Sequence, residues 1–112
     1  MQRLFVIAAL LSAACAAQGA SPTTSTQPAN TYQVAVTMFK FQPAKLQIPA
    51  GATVTWTNHD EEPHTVTSAG DGFKSSPALD TGDHYSAVFT RPGTYAYYCS
   101  VHPQMTGTIV VR

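Results

Sequence analysis

Charge is scarce in this sequence. Only 11% of its 112 residues are Asp, Glu, Lys or Arg, and six acids balance six bases. That stock cannot furnish a broad basic face for nucleic acid, nor an acidic solvated tail. Cysteine is nearly absent, with Cys15 and Cys99 alone in the chain and no Cys-x-x-Cys-His for haem attachment. Long apolar runs are missing too. The longest, Leu4 to Leu11, is too short for a permanent membrane anchor. Eight Pro and seven Gly interrupt the chain every few residues, which excludes long helices. No internal repeat is visible.

What is present supports one small domain. Hydrophobic residues reach 44%, enough to bury a core at this length. Met1-Gln2-Arg3, the run Leu4 to Leu11 and the small residues to Ala20 follow the order of a cleaved secretory signal, so 1–20 reads as a leader. Its exit is open between Ala14-Cys15-Ala16 and Ala17-Gln18-Gly19. Leu11-Ser12-Ala13-Ala14-Cys15 also resembles a relaxed lipobox, in which case Cys15 would carry lipid and tether the protein to a membrane. Residues 21–30, rich in Ser, Thr and Pro, read as a flexible linker. The domain is then 31–112.

Within it the pattern is short strands. Tyr32 to Phe41 alternates as one strand, followed by Lys45–Ile48, Thr53–Thr57, His64–Thr67, His84–Phe89, Thr94–Cys99 and Gly107–Val111. Turn signals at 69–72, 81–83 and 91–93 separate them. Seven to eight short strands in one small domain predict an all-β, two-sheet sandwich. Trp56 and Phe89 belong in its core with one face of the Tyr95/Tyr97 strand, and Tyr95 is placed to bond nearby backbone as a tyrosine corner.

Cys99 would be a lone thiol in an oxidising compartment, so it needs burial or a metal. It opens Cys99-Ser100-Val101-His102-Pro103-Gln104-Met105, which sets thiolate, imidazole and thioether within one loop. Upstream, Pro63-His64 offers a second imidazole. Two His and one Cys with a weak Met form the ligand set of a mononuclear blue-copper centre, soft enough for Cu(I) and nitrogenous enough for both oxidation states. Zinc on Cys99, His64, His102 and a water is the rival, disfavoured because Met is a poor zinc ligand. A Cys-His nucleophile lacks an evident orienting acid or amide, and no enzyme activity is expected. His59 and His84 have no ligand neighbours at useful spacing and read as exposed.

This loop, with Met38 to Pro43, Gly51 to Asn58, Pro63-His64-Thr65-Val66 and Gly93 to Cys99, resembles the cupredoxins of the plastocyanin/amicyanin group over Tyr32 to Arg112. The two-residue gap between His102 and Met105 is similar to the short amicyanin form. The resemblance implies a Greek-key sandwich and one type 1 copper cycling Cu(I)/Cu(II) on His64, Cys99 and His102, with Met105 as long axial ligand. It implies a monomeric periplasmic carrier of single electrons. A dehydrogenase or a c-type cytochrome would dock at the partly exposed His102, ringed by Val101, Pro103, Gln104, Pro63 and Phe39. Copper carriage or tolerance on the same ligands is the alternative; the chain lacks the Met- or His-rich cluster expected of a carrier. Two departures stand out. Thr65 replaces the family's Asn and is expected to link the ligand loops with a shorter reach. Val101 replaces a Pro and is expected to turn a second N–H toward the thiolate. Asp60, Glu61 and Glu62 are expected to form an acidic rim beside His64.

Overall fold

The computed structural model describes residues 30–112; the leader at 1–20 and the linker as far as residue 29 lie outside them. Eight strands form: β1 (Thr31–Thr37), β2 (Lys40–Gln42), β3 (Lys45–Ile48), β4 (Ala52–Asn58), β5 (Thr67–Ser68), β6 (His84–Phe89), β7 (Gly93–Tyr98) and β8 (Thr106–Val111). They make two four-stranded sheets, ordered β2-β1-β4-β6 and β3-β8-β7-β5. This is the expected all-β, two-sheet sandwich. No helix among the described residues is long and apolar enough to cross a membrane.

The alternation in β4 shows why the sheets stack. Ala52, Val54, Trp56 and Asn58 face inward and are buried, while Thr53, Thr55 and Thr57 face the other way. Strand β1 runs parallel to β4 with Val34 opposite Trp56, and β6 runs antiparallel on its other side with Tyr85 opposite Trp56. From the second sheet, Tyr97 and Ile109 meet the same core. Trp56 is completely buried, and the Tyr97 ring stands on it edge to face at 5.4 Å. Gly107 has to be glycine, because a Cβ there would run into the Tyr97 ring. Tyr95 closes the expected corner, its hydroxyl donating to the Arg91 carbonyl at 2.6 Å.

Two strand assignments change. Tyr32–Phe41 is not one strand, because the chain reverses at Met38–Phe39 and β2 pairs back on β1, Thr37 opposite Lys40. His64–Thr67 is mostly not strand. His64, Thr65 and Val66 are all buried in succession, which a pleated strand with one buried face cannot do. His64 instead makes a single bridge to Leu79, and only Thr67–Ser68 enters the second sheet beside Tyr97 and Tyr98.

Among the described residues, two buried polar atoms of the core, Trp56 Nε1 and Tyr97 Oη, have no hydrogen-bond partner. Burial pushes the Tyr97 phenol up to about 12. An unsatisfied buried hydroxyl costs about 1–3 kcal/mol. Tyr97→Phe is therefore expected to stabilise the fold by about 1 kcal/mol, read as a higher urea midpoint at unchanged slope. A lower midpoint would mean that the hydroxyl has a partner.

Candidate metal centre

The first half of the site hangs from the end of β4. Asn58, buried, donates from Nδ2 to the carbonyls of Glu62 and Leu79, both at 2.9 Å, and its Oδ1 accepts the Asp60 N–H at 2.9 Å. That one amide folds residues 58–62 into a compact loop. The loop delivers His64, whose backbone exchanges hydrogen bonds with Leu79 at 3.1 and 2.7 Å. The His64 ring is fully buried, and its Nε2 lies 2.8 Å from Asp60 Oδ2. A carboxylate accepts and does not donate, so Nε2 carries a proton and Nδ1 faces the interior.

The second half leaves the end of β7. Cys99 N–H donates to the Met105 carbonyl at 3.1 Å and Met105 N–H to the His102 carbonyl at 2.8 Å, closing the seven-residue loop on itself. Cys99 and Met105 are buried, His102 is half-buried, and Val101, Pro103 and Gln104 are exposed. Thr65 joins the halves. Its N–H donates to Cys99 Sγ at 3.3 Å, and its Oγ1 accepts the Ser100 N–H at 2.8 Å and contacts Ser100 Oγ at 2.9 Å.

His64, Cys99 and His102 thus bring one donor atom each to a common point, all within 4.8 Å of one another. Both imidazoles present Nδ1, at 3.7 Å (His64) and 4.0 Å (His102) from Cys99 Sγ. An ion with bonds of about 2.3 Å to sulfur and 2.0 Å to nitrogen spans at most about 4.3 Å between them. A single first-row ion fits. Burial alone would raise the Cys99 thiol. The Thr65 N–H, the His64 ring and His102 outweigh it and bring the thiol down from 9.0 to about 6. The site offers one thiolate and two imidazoles, the donor set of a copper centre rather than a hard-ion site.

The structure brings together three of the four predicted ligands and buries the fourth, Met105, on the same loop. His59 and His84 are exposed, as expected. Thr65 does link the loops, through Ser100. Val101 does not serve the sulfur: the backbone donor there is Thr65, and Val101 is an exposed apolar residue. Asp60 is no mere rim charge. It accepts the N–H groups of Met38 (2.7 Å) and Phe39 (2.9 Å) as well as the His64 ring. Desolvation raises its pKa, but the Phe39 N–H, the His64 ring and the Met38 N–H prevail and lower it.

One consequence is testable on metal-free protein. The Cys99 pKa is depressed on folding, so between about 6 and 9.0 the unfolded chain binds more protons than the folded one. Stability from this group is full above 9.0 and is lost as pH falls through about 6. Thiolate ultraviolet absorbance should half-titrate near the lower value, and urea midpoints should rise with pH across that window; titration near 9.0 would contradict the arrangement.

Comparison with known proteins agrees with the geometry. The chain is 38% identical over 110 residues to amicyanin-alpha of Methylorubrum extorquens, covering 95% of this chain and 92% of that one. A purple cupredoxin from Nitrosopumilus maritimus superposes with a TM-score of 0.67 at 37% identity, covering 72% of this chain and 99% of that structure. The Cu(I) form of an amicyanin point mutant superposes with a TM-score of 0.72 at 31% identity, over 78% of this chain and 87% of that one. The profile of the cupredoxin-like domain matches residues 3–111. With its sandwich and its His–Cys–His cluster, this chain belongs to the cupredoxin-like domain family.

Proposed function

We propose that His64, Cys99, His102 and Met105 hold one type 1 copper ion and that the protein carries single electrons between redox proteins of the periplasm. The leader at 1–20 directs it there, and the domain is an electron carrier rather than an enzyme. The observation that carries the assignment is the convergence of two imidazole Nδ1 atoms and one buried sulfur on a point too small for more than one ion. Copper there supplies the Cu(I)/Cu(II) couple.

The protein's own groups divide the rest of the work. Cys99, with the Thr65 N–H as donor, needs little energy to lose its proton at neutral pH. His64, locked by Asp60 and the Leu79 bridge, fixes the buried side of the site. His102 is the half-buried member, so its ring is the shortest route between the centre and a partner. Around it Met38, Phe39 and Val101 are exposed to 73%, 46% and 51%, and Pro63 and Pro103 are exposed as well. An apolar surface of this kind desolvates readily, which suits brief docking by a dehydrogenase or a c-type cytochrome. Rigid loops limit rearrangement between oxidation states.

Copper-loaded protein should be intensely coloured through thiolate-to-Cu(II) charge transfer and should cycle by one electron. Cys99→Ser should abolish the colour, because a hydroxyl is a harder and weaker donor. Met105→Leu should keep copper and raise the potential, since an axial donor favours Cu(II). A colourless protein that retains only zinc after copper reconstitution would overturn the proposal, and loss of all copper in Met105→Leu would remove Met105 from its weak axial place.

A further inference from the structure

The turn between β1 and β2 breaks a local rule. Met38 and Phe39 have φ of 55° and 56°, a left-handed pair that two-residue hairpins ordinarily assign to Asn-Gly. Neither side chain is sunk in the core to compensate, since both are exposed. The holding force is Asp60. Its Oδ1 takes the Met38 N–H at 2.7 Å, and its Oδ2 takes both the Phe39 N–H at 2.9 Å and the His64 ring at 2.8 Å. One carboxylate therefore ties an unfavourable turn to a metal-site imidazole.

The turn has a specific product. It sets the Phe39 ring against both imidazoles at once, 5.3 Å from His64 at 88° and 5.1 Å from His102 at 82°. The two imidazoles are themselves 5.1 Å apart. Near-perpendicular contacts at these separations are the attractive edge-to-face arrangement. For His64 the contact is redundant, because Asp60 and full burial already fix that ring. For His102 it is not. Among the described residues the only hydrogen-bond partner of the His102 ring is Cys99 Sγ, at 4.0 Å, the outer edge of such a bond.

We infer that Phe39 is a positioning residue for the metal centre, holding the half-exposed His102 ring in its ligating orientation, and that Asp60 is the clamp that keeps Phe39 there. The inference rests on the ligand assignment above. It accounts for the retention of a strained turn, since relaxing Met38–Phe39 would swing the ring off His102.

Two measurements on the full chain test it. In metal-free protein, NMR should show a single narrow set of His102 ring signals with contacts to the Phe39 ring. Phe39→Ala should broaden or average those signals. In copper-loaded protein, the same substitution should speed Cu(I) transfer to the chelator bicinchoninate between about twofold and tenfold, the range expected for one lost aromatic pair. Phe39→Tyr keeps the ring and should restore both readouts; Phe39→Leu keeps apolar bulk without the ring and should restore neither. Unchanged His102 signals and transfer rate in Phe39→Ala, or rescue by Leu equal to that by Tyr, would overturn the inference. Wild-type protein that takes no copper would reject the function proposed above, and the metal-free NMR comparison would still decide the role of Phe39.

Discussion

The hydrogen bond from the Thr65 N–H to the Cys99 sulfur is the contact on which the centre depends. It spans 34 positions in sequence and joins two loops that leave different sheets. A backbone donor has no rotamer freedom to lose, so the sulfur is held by the fold and not by a mobile side chain. Around it the Thr65 hydroxyl fastens Ser100, and Met105 returns to the Cys99 N–H. The sulfur is therefore placed and charged before any ion arrives. Metal binding then meets a site whose ordering cost was met during folding of the sandwich.

The same logic extends outward through Asn58 and Asp60. Asn58 is buried and saturates its amide on three backbone groups, so the loop that carries His64 follows rigidly from β4. Asp60 relays that rigidity in two directions, to the His64 ring and to the Met38–Phe39 turn. Its carboxylate is partly solvated and retains a depressed pKa, which keeps it an acceptor throughout the neutral range. The buried imidazole is fixed through hydrogen bonds, the half-exposed one through ring packing. This division suits the proposed function, in which His64 anchors and His102 stays reachable from solvent.

Much of this was legible in the residues because the relevant signals are local. Period-two alternation marked β1, β-branched and aromatic composition marked β4, and the Cys99-x2-His102-x2-Met105 spacing needed no fold to suggest one loop. The failures share a cause. Met38-Phe39 carries no turn signal, and the reversal there rests on Asp60, 22 and 21 residues away. His64-Thr65-Val66 looks like strand by composition but is buried three in a row, since Leu79, Cys99 and Ser76 claim its backbone. Asp60 reads as one of three surface acids until the fold brings His64 back over it. Val101, standing where the family has Pro, is expected to turn an N–H to the sulfur, yet the backbone group that donates there is Thr65.

On the proposed assignment, two imidazoles and one thiolate form a preset pocket for a single copper ion that changes oxidation state without changing partners. X-ray absorption at the copper edge tests it most directly, on oxidised and reduced protein in turn. The account predicts one sulfur and two imidazole nitrogens in the inner shell of both states, with little change in distance between them. A shell of nitrogen and oxygen alone, or loss of the sulfur on reduction, would contradict it.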